Sequence, residues 1–406
     1  MPLFASAKLT KSLPVVPLCG TCKADRTCQH PKQTWPGKPA KVVFVVDKAG
    51  DDAPDALLDG QFGRLGTVCN RVGITLDAYP KVPAAACPGA SNEAWRHCQP
   101  LVASELARLN PEVVIPYGPR ATQSVIGRYW QQPAELYDRW YGAVIPCRDL
   151  NAWICPVGLM GEHKRMLDVS SMFEYKYLRD AMRISGRPWP DGCVPLDSRI
   201  QQVYHAQEII TQLDKITKTA KIAAFDYETT GLKPEWDNQL IVSMSVAYVA
   251  EGDVHCISFP VFADTHDAIR RFLVSDIQKI AANMKFEDRW SRSKLGVQVR
   301  RWWWDTMQAA HWENPNSGIT GLKFQAFAKL GVPYFADDVD SFFESEENSQ
   351  RNKIFSIPTP KLLTYNGMDA IVELLLASMQ MVENGIIKEH FVPSKYLPAK
   401  CSQKST

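Results

Sequence analysis

The stretch FDYETTGL, Phe225 to Leu232, decides the C-terminal half of the chain. It continues a short apolar run, Ile222 to Phe225 (IAAF), whose length and termination at Asp226 predict a buried strand. Side chains on a strand alternate between faces with period two, so Asp226 and Glu228 share one face. Two carboxylates forced together repel, and burial makes ionising either of them harder. A divalent cation such as Mg²⁺ or Mn²⁺, which prefers oxygen ligands, neutralises such a pair. The plain alternative is a surface strand bearing a solvated acidic pair. The flanking apolar strand and the Thr229-Thr230-Gly231 turn favour the buried version.

Two further elements lie downstream. IAANMKFEDRW, Ile280 to Trp290, ends an apolar stretch with Asn283, Lys285, Phe286, Glu287 and Asp288. YNGMD, Tyr365 to Asp369, opens an apolar helical pattern, AIVELLLASMQM. Tyr365 and Asp369 are four residues apart and so share a helical face, one turn presenting a phenol and a carboxylate together. Taken alone, that pair also reads as an ordinary helix start.

Together the three elements resemble the three motifs of the DEDD 3′–5′ exonuclease superfamily, and the tyrosine spacing resembles its DEDDy branch, as in the proofreading domains of family A DNA polymerases. The similarity covers about residues 218–382. WDTM (Trp304 to Met307) resembles the family's D-T segment, and GLKFQAFAKLG (Gly321 to Gly331) its L-K-x-L-A-x-x-x-L-G helix. The resemblance implies a ribonuclease H-like (DnaQ-like) domain with a mixed sheet, hydrolysing DNA phosphodiester bonds with two Mg²⁺ or Mn²⁺ ions. Asp226 would bridge both ions, Glu228 and Asp369 would hold one, and the second-motif acid the other. Glu287 stands where the family has Asp, with Asp288 one step on; the offset from Asn283 favours Glu287. Tyr365, a phenol with an ordinary pKa near ~10, would orient the attacking water rather than act as a base at neutral pH. Asn283 and Lys285 would contact the substrate strand, although Lys285 also reads as a solvated charge. Trp302-Trp303-Trp304 reads either as a stacking platform for single strands or as core.

In the N-terminal half, KVVFVV (Lys41 to Val46) is a second buried-strand signal, ending at Asp47. The chain holds 11 cysteines, a high and odd count. Without a signal-peptide pattern a reducing compartment is expected, the cytoplasm (or host cytoplasm if viral), where grouped cysteines point to metal rather than disulfides. Cys19 and Cys22 form C-G-T-C, and Cys87 with Cys98 makes a wider pair. Four thiolates suit a 4Fe–4S cluster; Cys19, Cys22, Cys28 and His30 would suit Zn²⁺; unligated buried thiols are the third reading.

Lys41 to Gly66 and Ala86 to Gly118 resemble the strand, loop and helix segments of family-4, iron–sulfur uracil-DNA glycosylases, over about residues 15–165. This implies a three-layer α/β domain, with Cys19, Cys22, Cys87 and Cys98 as cluster ligands and Phe62 as a base-stacking ring or a core residue. The chemistry departs from the family. Val46-Asp47-Lys48-Ala49-Gly50 replaces G-E-A-P-G, and Val82-Pro83-Ala84 replaces the uracil-reading Asn. Cys155-Pro156-Val157-Gly158 replaces the His-bearing segment. A degenerate module is the expectation, since donors of this kind often contribute factors of ~100 or more.

The whole chain is therefore expected to be α/β, with a glycosylase-like domain at 15–165 and a connector at 166–218 that includes a helix from Arg199 to Ile216. The exonuclease domain at 219–385 and a tail at 386–406 complete it. Of its 406 residues 45% are hydrophobic and 22% charged, with net charge +2, which excludes a tail-driven nucleic-acid binder but leaves a local basic groove open. No apolar run is long enough for a membrane span. The expected partners are a single-stranded 3′ end of DNA and a separately encoded polymerase, because too little chain follows the third motif for polymerase subdomains. An active uracil-DNA glycosylase with an accessory nuclease, or a non-catalytic scaffold, are the alternative functions.

Overall fold

The computed structural model describes residues 39–48, 61–86, 94–130, 137, 139–158, 167–189, 194–313, 318–344 and 351–398. They fall into two compact units, divided near Pro190. No helix among the described residues is long and apolar enough to cross a membrane.

The N-terminal unit contains β1 (Val42–Lys48), α1 (Gln61–Arg71), β2 (Lys81–Ala85), α2 (Ala94–Leu109), β3 (Val113–Tyr117), α3 (Pro119–Ile126), β4 (Ile145–Cys147), β5 (Ala152–Ile154) and α4 (Leu167–Arg183). Its sheet order is β2-β1-β3-β5-β4, with β4 antiparallel to β5 and the other pairings parallel. Val42, Phe44 and Val46 face a core shared with Leu65 and Val68 of α1 and Leu178 and Ala181 of α4. The alternate residues, Val43 and Val45, are also fully buried. A strand covered on both faces has no need of polar alternation, which explains the unbroken apolar run.

Residues 166–218, expected to form a connector, are divided between the units. The helix α4 supplies core to the N-terminal unit, whereas Val203, Ile209, Leu213 and Ile216 supply core to the C-terminal one. Of the proposed cluster ligands, Cys19, Cys22 and Cys87 lie outside the described residues, as do Cys28 and His30 of the zinc alternative. Cys98 is buried in α2. The side chain of Phe62, on α1, is also outside the described set.

The C-terminal unit contains β6 (Ile200–Gln202), α5 (Ala206–Thr219), β7 (Ile222–Thr229), β8 (Ile241–Ala250), β9 (Asp253–Pro260), α6 (His266–Val274), β10 (Gln278–Ala281), α7 (Met284–Trp290), β11 (Trp302–Asp305), α8 (Thr306–Glu313), α9 (Leu322–Leu330), α10 (Asp340–Phe343) and α11 (Thr359–Glu383). The last residues of α9, from Phe327, group with the N-terminal unit. The sheet order is β11-β10-β7-β8-β9-β6. The β7-β8-β9 meander is antiparallel, while β10 and β11 run parallel to β7 and β6 runs parallel to β9.

Strand alternation separates the two faces. Ala223, Phe225 and Tyr227 point into a core with Ile209, Leu213 and Ile216 of α5 and Ile269 and Phe272 of α6. Each large side chain removed from water there contributes roughly 1.5–3 kcal/mol. Asp226 and Glu228 therefore leave from the opposite face, which α11 covers. The helix α11 begins at Thr359, so Tyr365 lies within it rather than at its start. Pro360 suits the first turn, where a backbone N–H would be unpaired anyway.

Candidate active site

Asp226 and Glu228 from β7 and Asp369 from α11 place carboxylate oxygens within 4.8 Å of one another. Glu228 is 8% exposed and Asp369 3%, and Asp226 is half-buried. Burial, then the Asp369 charge, pushes the Asp226 carboxyl well above the usual carboxylate range. Burial and the Asp226 charge do the same to Glu228.

The sheet and helix are stitched together beside this cluster. Ser245 and Ser243 on β8 stand opposite Asp226 and Glu228 in the β7–β8 ladder. The Ser245 hydroxyl donates to the Asn366 carbonyl at 2.7 Å, and Ser243 donates to Asn366 Oδ1 at 3.1 Å. Asn366 Nδ2 then donates to Asp226 Oδ2 at 2.7 Å. One amide thus fixes both the seat of α11 and the orientation of Asp226.

Lys323 on α9 donates to both Asp369 oxygens at 2.5 Å. Its ammonium lies 4.3 Å from the centroid of the Tyr365 ring and 5.1 Å from that of Phe335. Burial works against that charge, and Asp369 overrides it, so the Lys323 pKa is raised. Tyr365 packs between Phe335 and Phe343, with centroids at 6.0 and 5.5 Å, one helical turn before Asp369. Burial, then the Asp369 charge, lifts the Tyr365 phenol well above 10, so it is a neutral donor at physiological pH.

The second-motif segment is organised by Asp305, the last residue of β11. Its carboxylate accepts the N–H groups of Asn283 (3.1 Å) and Met284 (2.9 Å), which open α7. It also accepts those of Met307 (3.0 Å) and Gln308 (3.1 Å), which open α8. Asn283 takes a left-handed conformation, φ +71°, which asparagine tolerates better than most residues. Glu287 is 2% exposed, and its carboxyl is pushed well above the usual range by burial and then by Asp226. Asp288 is engaged elsewhere, accepting the Val299 N–H at 3.0 Å and pairing with Arg292 at 2.6 Å. Lys285 is exposed and Asn283 half-buried.

The three tryptophans do not form an open platform. Trp302 stacks on Phe225 (centroids 5.5 Å), Trp303 packs on Phe391 (5.7 Å), and Trp304 donates to Gln380 at 2.9 Å.

The donor set fits a divalent cation. It consists of hard carboxylate oxygens, and the buried Oε2 atoms of Glu287 and Glu373 have no hydrogen-bond partner among the described residues. Sequence reasoning missed Lys323, Asn366 and Glu373. Each had a faint signal: a lysine in an amphipathic helix, an amide inside YNGMD, and one acid within the apolar run AIVELLLASM.

No family model matches the sequence, and no curated protein is similar to it. Among solved structures, Brucella melitensis NrnC, seen bound to pGG, is 16% identical over 47% of this chain and 84% of its own, with a TM-score of 0.31. The catalytic core of RRP6 from Trypanosoma brucei is 13% identical over 49% and 51%, with a TM-score of 0.31. Escherichia coli RNase D, an exoribonuclease, is 11% identical over 46% and 45%, with a TM-score of 0.33.

Proposed function

We propose that the C-terminal unit is a DEDDy-type exonuclease, removing nucleotides one at a time from the 3′ end of a single strand, with DNA as its substrate. The observation that carries this reading is the convergence of Asp226, Glu228 and Asp369 within 4.8 Å on one buried face. Water adds to the terminal phosphorus, the bond to the 3′ oxygen breaks, and a nucleoside 5′-monophosphate leaves. When bound, a pair of divalent cations supplies water activation and charge stabilisation for such a displacement. Asp226, Glu228, Glu287 and Asp369 would hold those ions. Tyr365, kept neutral by burial, donates a hydrogen bond and positions the attacking water. Asn366 keeps Asp226 aimed at the cluster.

For the N-terminal unit we infer a glycosylase-like fold without base excision. Asp47, at the end of β1, accepts the Ala121 N–H at 2.8 Å and so caps α3. Val82, Pro83 and Ala84 lie buried in β2, where no side-chain amide is available to read a base edge.

A 5′-labelled single-stranded oligonucleotide carrying one internal uracil tests both readings, in DNA and RNA versions, with Mg²⁺ or EDTA. The expected result is a Mg²⁺-dependent ladder shortening from the 3′ end, faster on DNA. Asp226→Ala should reduce it by a factor on the order of 1000 or more, given the size of electrostatic terms in such sites. Shortening that survives Asp226→Ala would overturn the nuclease assignment. An alkali-revealed break at uracil in EDTA would overturn the inactive-glycosylase assignment.

A further inference from the structure

We propose that Glu373 is a fifth acidic member of the site, fixing the turn that launches α7 with one oxygen and lending its negative charge to cation binding with the other. The inference rests on the nuclease reading above and deepens it. Glu373 lies one helical turn beyond Asp369, so the two share a face of α11. It is completely buried in a helix that is otherwise apolar over this stretch.

Its two oxygens are used differently. Oε1 accepts the Ala282 N–H at 3.0 Å. Ala282 immediately precedes the left-handed Asn283, where the chain turns into α7, the helix that bears Glu287. Oε2 is buried without a hydrogen-bond partner, and so is Oε2 of Glu287. The charges that most affect Glu373 after burial itself are Asp226, Glu287 and Asp369, all carboxylates. Lys323, the cation of the cluster, is taken up by Asp369.

A structural acceptor for one N–H needs no charge; glutamine would serve. A carboxylate placed here instead adds to the repulsion among three others, with half its hydrogen-bonding capacity unused. That arrangement is costly for an empty scaffold and favourable for one that binds divalent cations, since buried carboxylates are stable when a metal compensates them.

The test is Mn²⁺ binding to the full chain by calorimetry, with the metal-free melting temperature measured alongside. Wild type, Glu373→Gln and Asp226→Asn are compared. Glutamine keeps the acceptor for Ala282 and removes the charge. The expected result is Mn²⁺ affinity at least tenfold weaker in Glu373→Gln, with a metal-free melting temperature equal to or above that of wild type. Wild-type Mn²⁺ affinity in Glu373→Gln would reduce Glu373 to a structural acceptor and sink the proposal, leaving the nuclease reading intact. If wild type binds Mn²⁺ no better than Asp226→Asn, the nuclease reading fails and this proposal with it. Should the glutamine variant not fold, Glu373→Thr is read by Mn²⁺ affinity alone, and wild-type affinity there sinks the proposal in the same way.

Discussion

Lys323 sets the state in which the acidic cluster rests. It neutralises Asp369 through both oxygens, 2.5 Å from each, while Asp226 and Glu228 stand alongside. A divalent cation entering the cluster competes with that ammonium for the same carboxylate. Removing one member of a buried ion pair leaves the other uncompensated, which costs about 3 kcal/mol or more. Lys323→Met should therefore lower metal-free stability by about 3 kcal/mol in urea melts. The same variant should show a larger Mg²⁺-induced rise in melting temperature than wild type. No gain in that rise would show that lysine and cation do not compete. The sequence carries the identities of Asp226, Glu228 and Asp369 plainly, because period two on a strand and a four-residue step on a helix are local rules. Lys323 escaped because its partner is 46 positions away, on a different helix.

At the scale of elements, Asp305 ties two helices to one strand end. Its four accepted N–H bonds begin α7 and α8 together. Each lost cap costs about 1 kcal/mol, so Asp305→Ala should destabilise the unit by about 2 kcal/mol. Amide exchange should accelerate at Met284 and Met307 together. Acceleration at only one of them would mean that the two helix starts are independent. Strand β7 was legible because its burial on one face and its carboxylates on the other follow from alternation. The helix expected from Arg199 to Ile216 proved to begin at Ala206, since Ile200–Gln202 pairs with β9 as an edge strand. Such pairing is non-local and leaves little trace in the periodicity of three residues. For the second-motif acid the offset from Asn283 points to Glu287, whereas the engagement of Asp288 by Val299 and Arg292 is a tertiary arrangement that no local spacing carries.

At the scale of the whole molecule, the cluster gives stability an unusual dependence on pH. Burial first, and like charge next, raise Asp226, Glu228 and Glu287 above their unfolded values. The folded state then holds protons that the unfolded state has released, so stability falls as pH rises. The contribution is fully present below the ordinary carboxylate range near ~4 and is lost as pH climbs through the raised values. Comparing metal-free wild type with Asp226→Asn in thermal melts from pH 5 to 8 isolates this term. The wild type should lose more melting temperature than the variant as pH rises, and saturating Mg²⁺ should remove that loss from the wild type. Parallel pH profiles would mean that the cluster does not titrate as a unit. A last consequence comes from α11, which carries Tyr365, Asn366, Asp369 and Glu373 on one continuous rod. Inserting or deleting a single residue between them would swing everything beyond it by about 100° around the axis. A change of length anywhere between Tyr365 and Glu373 would therefore dismantle the site even with every one of its side chains retained.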